Sequence, residues 1–158
     1  MDERFKTMRH IEAVRNHLNA CVWELLERAE RHDQSKLQSP ERELFDEFTP
    51  KLRASTYGSD EYIGFLRDMS TALEHHYANN PHHPEHYIQG IQGMNLIDLL
   101  EMFCDWRAST MRHANGDIYK SIEINQKRFG FSNELAQVLR NTADWMTVEG
   151  IYHHAEES

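Results

Sequence analysis

The sequence predicts a single all-α domain, a helical bundle of about six or seven helices. Apolar residues recur at spacings of three and four along most of the chain, the period of a helix with one buried face. No stretch alternates apolar and polar residues in the manner of a half-buried strand. A length of 158 residues suits one domain with one real core.

Each element has its own signal. Residues 3 to 30 carry Phe5, Met8, Ile11, Val14, Leu18, Cys21, Leu25 and Ala29 on one helical stripe. Ser39-Pro40-Glu41 reads as an N-cap, a first-turn proline and a first-turn acid, so a helix should start there and run toward Thr49-Pro50. Ser59-Asp60-Glu61 announces the next, with Leu66, Met69, Leu73 and His76 continuing one face. Two prolines and two asparagines stop that period in NNPHHPEH. A long apolar helix is expected from about Met94 to His113, followed by punctuation at Asn115-Gly116-Asp117 and a shorter helix over about 117 to 129. Ser132-Asn133-Glu134 opens the last helix, through about Val148. The domain is expected to cover residues 1–150, with 151–158 a frayed tail.

Composition excludes several classes of partner. A formal charge of −9 repels polyanions, so a nucleic-acid duplex is not expected. Apolar runs are short, which predicts no membrane span, and the charged start MDERFK without an apolar segment behind it predicts no secretory signal. Cys21 and Cys104, far apart in helical contexts, suit reduced core thiols in a cytoplasmic protein. The oligomeric state stays open, a homo-oligomer included.

Three polar features interrupt the helical patterns. Asp98, Glu101 and Asp105 lie at offsets of three and four on the most apolar helix, so each needs a cation, a hydrogen-bond partner or a metal. In RHDQSKL, the adjacent His32 and Asp33 precede Lys36. Imidazole nitrogen with carboxylate oxygen suits borderline divalent ions, and an Asp can bridge two of them. Finally, five of the eleven histidines, His75, His76, His82, His83 and His86, fall within residues 75 to 86. His76 continues the inward face of Leu66, Met69 and Leu73, while His75 is rotated about 100° from it. Pro81 and Pro84 stiffen the backbone around His82 and His83.

HDQSK resembles the HDxGK signature of the HD-domain superfamily of helical, metal-dependent phosphohydrolases. HIEAV at 10–14, LEHHY at 73–77 and CDWRAS at 104–109 follow in the order of that superfamily's other motifs. HIEAV, HDQSK, HHYANNPHHPEHY, EMFCDW and RHANGDI together are similar to a family of small phage and bacterial proteins of uncharacterised function, from about residue 8 to 145. Two departures stand out: Ser35 replaces the usual glycine, and the HHPEHY loop has no counterpart in the simplest mononuclear members.

The resemblance implies a metal set of His10, His32, Asp33, His76, His83 and Asp105, holding one or two divalent transition-metal ions among Mn, Fe, Co, Ni and Zn. In a straight helix His10 would lie roughly 33 Å, and His17 roughly 22 Å, from His32. The superfamily's solution is a hairpin, expected here at Asn16 to Ala20, which would return His10 to the level of His32 and leave His17 by the turn. His75 against His76, and His82 against His83, stay open as alternatives. Asp33, Lys36 and Glu101 are the implied catalytic residues, with Glu101 and Asp98 orienting ligand histidines or positioning water. Lys36, His75, His86, Arg107 and Arg112 are the candidate substrate contacts, and Glu85 joins the loop's supporting residues. The implied activity is hydrolysis of a small phosphorylated substrate, most simply a nucleotide, in the cytoplasm, the host's if the chain is phage-encoded. Two rival readings are an HD-fold di-iron oxygenase and a non-catalytic nucleotide-binding phage factor.

Overall fold

Helix α1 runs unbroken from Glu3 to Arg31 in the computed structural model, 29 residues capped at its start by Asp2, whose side chain accepts from the Arg4 amide at 3.2 Å. The structure describes residues 2–56, 59–112 and 116–148. The tail expected over 151–158, the expected helix end at His113, and Asn115 of the expected Asn115-Gly116-Asp117 punctuation lie outside the described residues. Among the described residues every regular element is helical.

The unbroken α1 corrects the hairpin expected at Asn16 to Ala20. Asn-His-Leu-Asn-Ala contains neither Gly nor Pro, and its asparagines cost a helix only about 0.7 kcal/mol each or less. Opening a turn there would forfeit several backbone hydrogen bonds with no buried face to compensate, because no residue of α1 is buried.

Six further helices follow: α2 (Glu41–Ala54), α3 (Asp60–Asp68), α4 (Ser70–Asn79), α5 (Leu96–Met111), α6 (Ile118–Phe129) and α7 (Asn133–Val148). The expected single helix through Met69 and His76 is two helices meeting at Met69, whose φ of −96° and ψ of 15° break the geometry while its side chain stays fully buried. The start of α2 lacks the expected serine cap, and its helix passes through Pro50 for another turn. Asn95 caps α5 reciprocally with Asp98, each side chain accepting from the other's backbone amide, so Asp98 serves the helix end.

The main core lies between α5, α6 and α7, where Phe103, Ile118, Ile122, Leu139 and Ala143 are buried. A second set of helices, α2, α3 and α4, packs together around Phe48, Met69 and Ala72. Helix α1 touches α5, and its residues up to Trp23 are all exposed. Cys21 and Cys104 are free thiols, as expected, but both are exposed rather than in the core. No helix among the described residues is long and apolar enough to cross a membrane.

Candidate metal centre

The seam between these helix sets gathers the polar residues. Helix α1 ends at His32, and Asp33 adopts a left-handed conformation with φ of 56°, which swings its carboxylate back toward the bundle. Asp tolerates that region better than most residues. Buried His76 comes from the last turn of α4. His82 and His83 come from the proline-bracketed loop, and Glu101 and Asp105 from successive turns of α5.

The two nitrogens of each ring have different partners. Nδ1 of His32 lies 2.9 Å from Glu101 Oε1, Nδ1 of His82 3.1 Å from the same oxygen, and Nδ1 of His76 2.9 Å from Glu41 Oε2. Glu101 takes the Nδ1 proton of His32 and Glu41 that of His76, so Nε2 of each of these rings faces inward, where His76 Nε2 meets His83 Nε2 at 2.9 Å. Nε2 of His76 then lies 3.4 Å, and Nε2 of His82 3.5 Å, from Asp33 Oδ1. Nε2 of His32 is 3.6 Å from Asp33 Oδ2 and 3.8 Å from Asp105 Oδ1. Such spacings are long for hydrogen bonds. Two ligand atoms each about 2.1 Å from one ion at the tetrahedral angle stand about 3.4 Å apart, so the spacing fits shared coordination. Asp33 Oδ1 and both ring nitrogens of His82 are buried without a hydrogen-bond partner, which is the expense a cation would relieve.

The ligand atoms form two groups that share Asp33: Asp33 with His76, His82 and His83, and Asp33 with His32 and Asp105. These groups can hold metal. A third group, His32, His82 and Glu101, gathers on the Nδ1 side, where Glu101 is already held by Arg28 Nη1 at 3.0 Å.

The local field is matched to a cation. Asp105 and then Glu101 push the His32 imidazole up to about 10 against the effect of burial. At 3.8 Å the Asp105 contact is an ion pair rather than a hydrogen bond. Burial, with His82 and His76 adding repulsion, pushes His83 down to about 3, so it presents a neutral lone pair. Burial likewise lowers His76, helped by Lys36. For Asp33, burial works to raise the carboxyl and Lys36 Nζ, 2.6 Å from Oδ2, overrides it and holds it low.

Of the residues singled out in the sequence, the structure brings together His32, Asp33, His76, His83, Glu101 and Asp105. His10 is corrected: it sits on the exposed stretch of α1, roughly 33 Å along the helix from His32, because the hairpin that would return it does not form. His17 is exposed on the same helix. His75 points to the outer side of α4, half-exposed, with Nδ1 2.7 Å from the other Glu41 oxygen. His86 Nδ1 donates to the Tyr77 carbonyl at 2.7 Å on the surface. Lys36 is committed to Asp33, Arg112 is exposed at the end of α5, and Arg107 lies within electrostatic reach of Tyr119. Asp98 accepts from the Tyr87 hydroxyl at 2.7 Å and pairs with Arg28, without touching a ligand histidine.

Sequence reasoning left one contributor undecided and missed two. His82 supplies ligand atoms alongside His83, and the signal for both was the pair of prolines around them. Glu41, fully buried, was read only as a first-turn acid. Arg28 anchors Glu24, Asp98 and Glu101, and nothing in its own helix marks it out.

Beside the cluster a cavity of about 600 Å³ is walled by His83 and Asp105 on one side and by Tyr77, Trp106, Phe129, Lys120 and Arg128 on others. Its size is that of a small-molecule site. Trp106 and Phe129 stack with centroids 6.4 Å apart, and Arg128 pairs with Glu85 at 2.6 Å.

Fold and site together define an all-helical protein with a His/Asp cluster able to hold metal. The chain belongs to a family of unknown function, DUF5662, whose model matches residues 1–145. No curated protein and no solved structure matches it.

Proposed function

We propose that this protein is a metal-dependent hydrolase of a small phosphorylated metabolite, a nucleotide being the favoured class, built on an HD-type helical scaffold. The observation that carries this reading is the division of the ligand atoms into two groups sharing Asp33, beside a cavity whose walls include Lys120 and Arg128. Divalent ions bound there would acidify a water and neutralise phosphoryl charge.

The chain's own residues supply the rest. Glu101 and Glu41 keep the Nε2 atoms of His32 and His76 turned inward. Asp33 offers one oxygen to each group. Lys36, 2.6 Å from Asp33 Oδ2, keeps that carboxylate ionised and would supply positive charge toward a substrate's anionic end. Lys120 would meet the anion in the cavity, where Arg128 is paired with Glu85 and Asp105 and Asp117 also line the wall, and Tyr77 and Trp106 offer flat apolar faces to a planar base.

The test is to determine the metal content of the purified protein and to assay nucleotides and other small phosphate esters for phosphate release with Mn, Fe, Co, Ni and Mg. Metal-dependent release that disappears in Asp33→Ala is the expected result. Oxygen consumption without phosphate release would overturn the reading in favour of oxidative chemistry, and tight nucleotide retention without turnover would make the protein a binding factor.

A further inference from the structure

Helix α1 leaves an apolar stripe uncovered. Phe5 (48%), Met8 (60%), Ile11 (52%), Val14 (43%), Leu18 (61%) and Val22 (54%) are all substantially exposed. At 100° per residue Met8, Ile11, Val14, Leu18 and Val22, with Leu25 and Ala29, follow one face within about 60° of Ile11, and Phe5 stands about 120° round from it. The helix is about 43 Å long, and its residues up to Trp23 project beyond the packed bundle. An isolated amphipathic arm of this kind has little in water to stabilise it.

The stripe runs into a groove. Leu25 and Ala29 of α1, Leu100 and Cys104 of α5 and Trp145 and Met146 of α7 line a cavity of about 480 Å³, with His32, Glu101 and Asp105 also in its wall. Trp145 is 54% exposed and both Cys21 and Cys104 are exposed, so apolar and thiol surface continues from the arm to the edge of the metal cluster.

We infer that a second copy of this chain covers this surface: the two α1 helices pair antiparallel, and the arm of each copy closes the other's groove beside the metal cluster. Two arguments select this occupant. The first is area: a large side chain offers about 150–200 Å², so the exposed halves of Met8, Ile11, Val14, Leu18, Val22 and Leu26 amount to roughly 500–650 Å², to which the groove along α5 and α7 adds its own lining. A standard interface buries about 800 Å² on each partner.

The second argument is charge. Arg4 and Arg15 fall within about 40° of Ile11, on the stripe itself. Parallel pairing in register would set each arginine against its own copy. Antiparallel pairing centred near His17 separates the two copies' arginines along the axis, with Arg4 level with Glu30 and Arg15 level with Asn19, Glu30 and Asn19 both standing at the edge of the stripe. It also sets Met8 opposite Leu26 and brings Phe5 level with Ala29, so the arm's tip reaches the groove. A helix that threads no core of its own chain thereby gains a function: it shields one wall of the cluster from water.

The experiment is sedimentation or light scattering of the full chain at micromolar concentration. Twice the chain mass is expected, and Leu18→Glu should reduce it to the monomer mass with its helical circular dichroism retained, since Leu18 touches no core. A wild-type monomer, or a dimer indifferent to Leu18→Glu, overturns the inference. Orientation is read by disulfide trapping in a Cys21→Ser, Cys104→Ser background. Leu18→Cys, close to the axis, should cross-link to itself, and Met8→Cys should cross-link only when mixed with Leu26→Cys. Efficient self-linking of Met8→Cys would show a parallel pair and overturn the arrangement. None of these readouts depends on metal or on turnover, so their failure is separate from failure of the hydrolase reading.

Discussion

At its C-terminal end α1 sets charge against the bundle, and at its N-terminal end it exposes hydrocarbon. Arg28 and His32 enter a network with Glu24, Asp98 and Glu101 where contacts are 2.8–3.0 Å. Phe5, Met8 and Ile11, on the same helix, stand about half-exposed. Each end inverts the usual burial rule. The difference teaches that the two ends of one helix offer different chemistry, a charged cluster able to hold a cation at one and an uncovered apolar stripe at the other. A carboxylate–imidazole cluster pays back its burial only when the inward-facing Nε2 and Asp33 atoms share positive charge.

Breaking the charged end should have the largest effect. Replacing His32 and Asp33 together with Ala removes the residue common to both ligand groups and one ring of the second. Metal binding and hydrolysis should both be lost, while circular dichroism stays helical because neither side chain belongs to the apolar core. Full metal stoichiometry in that variant, measured by elemental analysis, would remove the cluster from consideration.

The next effect separates the two groups. His76→Ala with His83→Ala strips two ligands from one group and leaves His32, Asp33, His82 and Asp105, the usual number for a transition-metal site. Metal per chain should fall by about one without reaching zero, and phosphate release should fall further. An unchanged stoichiometry of one would mean that a single position exists.

These residues also mark how far the sequence could be read. Helix existence was legible because period, caps and breakers agreed, as at Ser132 and at Asp117, whose side chain accepts from the Tyr119 and Lys120 amides. His32, Asp33 and Asp105 were legible because they break apolar patterns or stand in a signature. The course of α1 was misjudged at Asn16 to Ala20, since the resemblance required a turn that local propensity does not favour. The choice between His82 and His83 stayed open, and Glu41 was illegible, for another reason. Which loop histidine turns inward, and which acid meets His76 from thirty-five residues away, depends on the packing of α2 against α4, which no local pattern encodes.

Metal removal tests the charged end without mutation. An ion that binds only the folded chain stabilises it by about 2.7 kcal/mol at 100 times its Kd, which for a chain of this size is roughly 5–10 °C in Tm. Chelation should lower Tm by that order, and the wild type should lose more than the His76→Ala, His83→Ala variant. Equal loss in both would argue that the second ion adds no stability. A smaller effect is expected for Glu101→Gln, which keeps the side-chain shape but removes the charge shared by Nδ1 of His32 and His82 and by Arg28. Metal affinity should fall about 10- to 100-fold, the usual cost of losing an orienting carboxylate. Competition with a chromophoric chelator measures it, and unchanged affinity would show that the rings are held by packing alone.

The smallest effect belongs to Ser35, where this chain departs from the glycine of the HDxGK signature. Its hydroxyl donates to Glu41 Oε2 at 3.0 Å and accepts from Asn80 Nδ2 at 2.9 Å, while Glu41 Oε2 also meets Nδ1 of His76. Ser35 therefore helps to hold the carboxylate that orients a ligand ring. Ser35→Ala removes both hydrogen bonds and leaves a fully buried carboxylate with one donor fewer, at a cost of about 1–3 kcal/mol. The stability loss should appear as a lower denaturant midpoint with an unchanged m-value. Because Glu41 still has the His76 and His75 contacts, the ring keeps its orientation and metal affinity should fall by less than in Glu101→Gln. A loss of affinity as large as that of Glu101→Gln would mean that Ser35, rather than Glu41 alone, sets the position of His76.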